Sequence, residues 1–383
     1  MTTLKQIHIS HIIYALKTGG LENGLVNLIN NLPKETFKHS IICLTESDSF
    51  ADRIKRQDVE IISLHKKPGQ DIGLYIKLYK VLKRLRPDVV HTRNMTSIEA
   101  QIPAFFSGVK VRVHGEHGWD VSDPQGKNKK YQWIRKICSM FIHRFIPLSK
   151  ELECYLNEVI HIPSKKITRI CNGVDVLAFS PKNKNTMQVL AGEKVKNKVV
   201  IGYVGRMERI KNPENLVKAF IQLHKKNIKD IFLVMIGEGR ELTTVKNLLV
   251  AEQLTEQCWL PGDCKNVAEL LQNFDIFCLP SKAEGISNTL LEAMATGLPV
   301  VATKVGGNAD IVLEDKTALL VDSDDTDALA NALERYVKNK ELRIKHGKAG
   351  RQRIENSLSL QQMVLNYQTM YLKETNKLQQ EVA

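Results

Sequence analysis

No run of apolar residues in this 383-residue sequence approaches the ~20 that a membrane-spanning helix needs; the longest resemble Ile137–Ile142. A transmembrane segment is therefore not expected. The opening MTTLKQIHIS has one lysine and a short alternating stretch, where a secretory signal would have a basic start and a longer apolar block, so a cytoplasmic protein is expected. The seven cysteines are odd in number, scattered, and form no C-x-x-C pair, which argues against a disulfide scaffold, a zinc ribbon and a redox dithiol. Neither G-x-G-x-x-G nor a Walker lysine occurs, so a dinucleotide oxidoreductase lacks its fingerprint. Solenoid-length repeats and low-complexity tracts are missing as well.

What is there is ordinary globular composition, 43% hydrophobic and 25% charged, in a chain long enough for two cores. The charge is uneven. Residues 1–180 carry 27 Lys and Arg against 17 Asp and Glu, the remainder 28 against 25. A basic half suits anionic lipid, phosphorylated substrates or nucleic acid, and equally a solvated surface that keeps the chain soluble.

Strand-like runs at Gln6–Leu16, His39–Leu44, Val59–Leu64, Val89–His91 and Val109–His114 alternate with helical patterns such as Leu74–Leu85. The theme restarts at Val199–Val204 and continues through Ile231–Ile236, Gln257–Leu260, Ile276–Leu279, Val300–Ala302 and Ala318–Val321. Such alternation predicts βαβ units and parallel sheets, and two fresh starts predict two Rossmann-like domains. Phe179–Lys198 is rich in lysine and asparagine and reads as a linker. The expected division is 1–180, 181–357 and a carboxyl-terminal helix, 358–383, whose stripe of Leu360, Val364, Tyr367 and Tyr371 must pack against something, expected to be the first domain.

Three constellations could carry chemistry. From Leu279 to Pro299 a strand ends, a loop holds Glu284 and Gly285, and a helix starts near Ser287, where unpaired N–H groups and the dipole suit a phosphate. Glu284 and Glu292 would then accept hydrogen bonds from sugar or ribose hydroxyls; alternatively, Thr289-x-x-Glu292 is only a capping box and Glu284 is solvated. After Val199–Val204 come Gly205, Arg206 and Lys211, with Asn212 as expected cap and Pro213 at the first helical position. Lys211 there opposes the helix dipole unless an anion lies between them. The alternative is a basic surface turn. In the amino-terminal half, His114, Glu116, His117 and Asp120 cluster at the end of a strand, where doubly wound sheets place ligands, although histidines at such ends are often structural. Spacing gives little support to a metal there, and Asp322-Ser-Asp324-Asp325, just before a helix, reads as a cap.

The order of these motifs closely resembles the retaining glycosyltransferases of family GT4, whose GT-B fold sets two Rossmann-like, doubly wound parallel-sheet domains on an interdomain cleft. The series is Gly19-Gly20-Leu21-Glu22, Pro87–His91, Cys171–Asp175 with Phe179-Ser-Pro181, Gly205–Lys211, Gly237-Glu-Gly239, Leu260-Pro-Gly262, Phe274–Ser281, Glu284–Glu292 and Gly306-Gly307. The resemblance implies donor binding by Gly19, Gly20, Gly205, Arg206, Lys211, Gly262, Glu284, Gly285, Ile286, Ser287, Asn288 and Glu292. In it Arg206 and Lys211 hold the diphosphate, Glu284 and the backbone of Gly285–Asn288 address the sugar, and Glu292 binds the ribose. The T-x-H-G histidine of the family matches His117 better than His114, so His117, Glu284, Arg206 and Lys211 form the expected catalytic set. Glu-Gly-Ile-Ser-Asn stands where many relatives have Glu-Gly-Phe-Gly, so the sugar does not follow by analogy.

The implied activity is transfer of a sugar, with retention, from a nucleotide-sugar, expected to be a UDP-sugar, to a glycan or lipid-linked acceptor in bacterial surface polysaccharide synthesis. No metal or other cofactor is expected, and no nucleic-acid partner. Lys127–Phe145 has apolar residues at helical spacing among Lys129, Lys130, Arg135, Lys136 and Arg144, and is expected to form one basic amphipathic helix. It would either rest on an anionic membrane, at the inner face of the cytoplasmic membrane, or pack on the first sheet. The competing functions are a nucleotide-sugar epimerase of the same shape and a noncatalytic nucleotide-sugar-binding subunit.

Overall fold

The computed structural model describes residues 6–69, 71–120, 123, 125–181, 195 and 197–382. Most of the expected linker, and the first five residues of the expected amino-terminal pattern, lie outside them. Two compact units are present. One comprises Met1–Asn172 with Leu360–Ala383, the other Gly173–Ser359, against sequence divisions near residues 180 and 357.

The first unit holds six parallel strands, β1 (Ile7–Ile13), β2 (Phe37–Cys43), β3 (Glu60–Ser63), β4 (Val89–Arg93), β5 (Val111–Glu116) and β6 (Arg144–Pro147), in the order β3-β2-β1-β4-β5-β6. The second repeats it with β7 (Val199–Val204), β8 (Ile231–Ile236), β9 (Cys258–Gly262), β10 (Ile276–Leu279), β11 (Val300–Thr303) and β12 (Ala318–Val321), ordered β12-β11-β10-β7-β8-β9. In each, the order reverses between the first and fourth strands, which opens a crevice at their carboxyl ends. Helices cover both faces, so strands such as β8 (IFLVMI) are buried along their whole length and read as continuous apolar runs.

The helix Leu360–Val382 packs its Leu360, Met363, Val364, Tyr367, Met370 and Tyr371 stripe on the first unit's sheet, against Ile9, Phe37, Val89, Val111 and Val113. Helix starts follow local polar chemistry. Asp71, Ser287 and Asp325 each accept a backbone N–H at the cap of the helix that follows.

One expected element is corrected. The basic helix ends at Cys138 instead of running to Phe145, and the chain turns into β6. The periodicity failed because Arg144 and Phe145 are strand residues: Arg144 is buried and bonded to Glu374, and Phe145 is wholly enclosed. Arg135 is also inside, 2% exposed, with Nε 2.7 Å from Glu116 Oε1 and Nη2 3.2 Å from Oε2. Burial would raise the Glu116 carboxyl, but Arg135 and His114 outweigh it and hold it at about 2.

Candidate active site

In the second unit the turn after β7 and the loop after β10 meet at the strand-order reversal. The Lys282 N–H donates to Ile210 C=O (2.8 Å), which joins the two segments. Across that join Lys211 Nζ lies 2.6 Å from Glu284 Oε1, and Ser281 Oγ donates to the same oxygen at 2.6 Å. Glu284 is 8% exposed, and a Cβ at Gly306, whose φ is +51°, would run into its carbonyl oxygen, so only glycine lets the next turn close over it. Lys211 therefore already has an anion beside it at its helix start, and that anion is Glu284. The solvated alternative for Glu284 does not hold.

Asn212 occupies the cap position before Pro213–Lys225, as expected, but with a left-handed backbone (φ 53°) and no capping bond. Its side-chain amide donates instead to Asp324 Oδ1 at 2.9 Å, and Asp324 also pairs with Lys282 at 2.8 Å. Of the three aspartates there, Asp325 is the cap. The helix Asn288–Ala295 is capped by Ser287, not by the alternative Thr289-x-x-Glu292 box. Glu292 is thus left without a hydrogen bond or ion pair to its carboxylate among the described residues, and burial pushes it up to about 7. Arg206 is exposed and its guanidinium is likewise unbonded among the described residues. Gly205, Gly285, Ile286, Ser287 and Asn288 line the same two segments, and the Gly237 N–H donates to Gly262 C=O beside them (2.9 Å). Among the described residues, then, one lysine is engaged by a carboxylate, one guanidinium is unbonded, one helix start is capped and one acid has no partner.

In the first unit Gly19 holds the cap position of the helix Gly20–Asn31, after the loop that follows β1. The two candidate histidines separate cleanly. His114 is wholly enclosed, 2.8 Å from Thr92 Oγ1 and 3.4 Å from Glu116. His117 is half-buried just past β5, its backbone N–H donating to Asn94 Oδ1 at 2.7 Å, and its Nε2 is enclosed without a partner among the described residues. Burial first, then Arg93 and His114, hold the His117 imidazole well below its ordinary value, so it is neutral. Sequence reasoning missed Arg93, His91, His11 and His39, which line one face of the sheet beside it. The available signal was a polar residue recurring on the inner face of strands that otherwise bury only apolar side chains.

The description "Glycosyltransferase Family 4" fits residues 18–176 and "Glycosyl transferases group 1" fits residues 189–353. The chain is a GT4-like glycosyltransferase. It is 28% identical over 380 residues to the UDP-Gal:alpha-D-GlcNAc-diphosphoundecaprenol alpha-1,3-galactosyltransferase of Escherichia coli, covering 97% of this chain and 98% of that one. It is 25% identical to the capsular polysaccharide biosynthesis glycosyltransferase CapM of Staphylococcus aureus, covering 97% and 99%. Among solved structures, Anabaena Alr3699/HepE in complex with UDP and glucose superposes with a TM-score of 0.82 at 15% identity, covering 96% of this glycosyltransferase and 99% of that chain. A glycosyltransferase from Rickettsia africae ESF-5 gives 0.81 at 19%, covering 97% and 99%. At those identities the structures speak for the fold, which is GT-B.

Proposed function

We propose that this glycosyltransferase moves a sugar from a UDP-sugar, with retention at the anomeric carbon, to a saccharide carried on a lipid diphosphate. The observation that carries the donor half is the Lys211–Glu284 pair at the β7/β10 crevice, with the Arg206 guanidinium unbonded among the described residues. A diphosphate arriving there takes the two cations and frees Glu284 to accept from sugar hydroxyls, and Glu292 meets the ribose. The cations then steady the charge that grows on the leaving diphosphate. His117 acts on the transfer step. UDP as carrier is supported by the donor named for the Escherichia coli relative and by the ligand of the Anabaena structure.

The acceptor half is supported by a cavity of about 480 Å³ in the first unit, lined by Lys66, Tyr75, Glu99, Asp120, Lys130 and Tyr131 among others. Tyrosine rings and carboxylates suit a saccharide, and two lysines suit an adjoining phosphate. A panel of UDP, GDP and ADP sugars tests the donor. At 100 times its Kd a ligand adds about 2.7 kcal/mol, read as a rise in Tm with UDP-sugars and none with the others. A GDP- or ADP-sugar giving the larger shift overturns the choice of base.

Contact with an anionic membrane is part of the same proposal, on a face redrawn by the structure. Trp133 (65% exposed) and Met140 (70%) stand with Lys129, Lys130 and Lys136 on or just past the exposed side of the helix Lys129–Cys138. A tryptophan among lysines suits a lipid interface, where each lysine contributes about 1 kcal/mol. Glutamate at all three lysines is expected to abolish binding to phosphatidylserine vesicles in a sedimentation assay; unchanged binding removes the membrane contact. Arg135 is left intact in that variant, because reversing it would strand Glu116 in the core.

A further inference from the structure

The buried polar row beside His117 has an order that its donors and acceptors dictate. His39 on β2, His11 on β1 and His91 on β4 are each wholly enclosed, and Arg93, two residues after His91, is 2% exposed. Parallel register sets His11 beside His91, and Arg93 beside Gly115 of β5. A guanidinium only donates. Arg93 Nη1 lies 3.1 Å from His11 Nδ1, so His11 keeps its proton on Nε2 and donates it to His39 Nδ1, 3.1 Å away.

The other arm runs toward His117. The Tyr371 hydroxyl lies 2.6 Å from His91 Nδ1. Arg93 Nη2 also approaches His91 Nδ1, at 3.4 Å. With Nδ1 accepting, a neutral His91 holds its proton on Nε2. That atom and His117 Nε2 are both enclosed and have no hydrogen-bond partner among the described residues. Both nitrogens border the space that a Cβ on Gly115 would fill, 3.2 Å from His91 Nε2 and in collision with His117 Nε2.

We propose that Arg93, Tyr371 and His91 are positioning residues that fix the tautomer of His117. His91 Nε2–H faces His117 Nε2 across the glycine, and one water that accepts from His91 and donates to His117 makes the latter nitrogen the acceptor. The His117 proton is thereby placed on Nδ1, the nitrogen left to meet a ligand. So wired, His117 offers a hydrogen bond to a hydroxyl or carbonyl oxygen of the bound sugar and does not act as the base that deprotonates the acceptor. A glycine at 115 is required because any side chain would break the relay. This rests on the assignment of His117 to the transfer step, and the two are separable by experiment.

The tautomer is read directly from two-bond proton–nitrogen spectra of the full chain labelled at histidine. His117 is expected to show a protonated Nδ1 and an unprotonated Nε2; the opposite pattern overturns the relay whatever the kinetics do. His91→Phe, which removes the donor, is expected to give mixed tautomers at His117 and a kcat lower on the order of tenfold, with donor KM little moved. His91→Gln, which restores an N–H, recovers part of the rate. Where His91→Phe does not fold, Tyr371→Phe, lacking only the hydroxyl, carries the same test with a smaller fall. His39→Gln, on the arm leading away, leaves the His117 spectrum as in the parent, and a change there equal to that of His91→Phe counts against the relay. Separately, His117→Ala with unaltered turnover defeats the assignment of His117 while leaving the measured tautomer to judge the relay.

Discussion

Lys211→Met is expected to lower the stability of the second unit by about 3 kcal/mol and to abolish the thermal shift given by the preferred nucleotide-sugar. Stability falls because the substitution strands the carboxylate of Glu284, 8% exposed, with Ser281 Oγ as its remaining close partner. Breaking a buried pair from one side costs roughly 3–5 kcal/mol, and the lower figure applies here because the lysine side chain keeps 19% of its surface exposed. Removing both charges discriminates the two roles. In Lys211→Met with Glu284→Gln most of the lost stability returns, since no bare charge remains, whereas donor binding does not. Arg206→Met is the complementary case. Its guanidinium is exposed and unbonded among the described residues, so stability should move by no more than about 0.5 kcal/mol. Donor affinity should nonetheless drop on the order of tenfold to a hundredfold, the worth of one charge-assisted hydrogen bond to phosphate. An Arg206→Met protein that binds the nucleotide-sugar as tightly as its parent would place the diphosphate elsewhere.

The same pair shows how far the sequence could be read. A lysine at a helix start opposes the dipole and leaves two readings open, an anion beside it or a basic surface turn. What the sequence could not show is that the anion is Glu284, 73 positions away, since the β7/β10 neighbourhood brings them together only in the folded sheet. The strands of the second unit were legible because strands covered on both faces are continuous apolar runs bounded by turns. β6 was not. Its four residues, Arg144-Phe-Ile-Pro, follow a helical stripe in phase, and Arg144 reads as solvated until Glu374 from the carboxyl-terminal helix is seen beside it. The relay of Arg93, His91 and Tyr371 shares that difficulty. No motif marks it, because its members come from one strand and a helix some 280 residues on, and Gly115 matters for the side chain it lacks.

Glu292 couples both stability and donor binding to pH. Its carboxyl, ordinarily near 4.5, sits at about 7 in the fold because burial disfavours its charge and, among the described residues, none is bonded to offset that. Below pH 4.5 the group is protonated in both folded and unfolded chains and contributes no pH dependence. Between 4.5 and 7 the unfolded chain gives up the proton while the folded chain keeps it, so stability falls as pH rises; above 7 the loss is complete and constant. The full drop is roughly 3 kcal/mol. Glu292→Gln removes it. At pH 5 the variant and the parent should melt together, and at pH 8 the variant should melt several degrees higher. Its donor affinity should move the other way, because an amide accepts ribose hydroxyls less well than a carboxylate. In the parent, moreover, nucleotide-sugar binding should tighten from pH 6 to pH 8 as the acid ionises, with proton release on binding at the lower pH. Calorimetry in two buffers of different ionisation enthalpy reads that release. A Glu292→Gln protein with the parent's melting profile across this range would show that the carboxylate is solvated, and one with the parent's donor affinity would show that the ribose lies elsewhere.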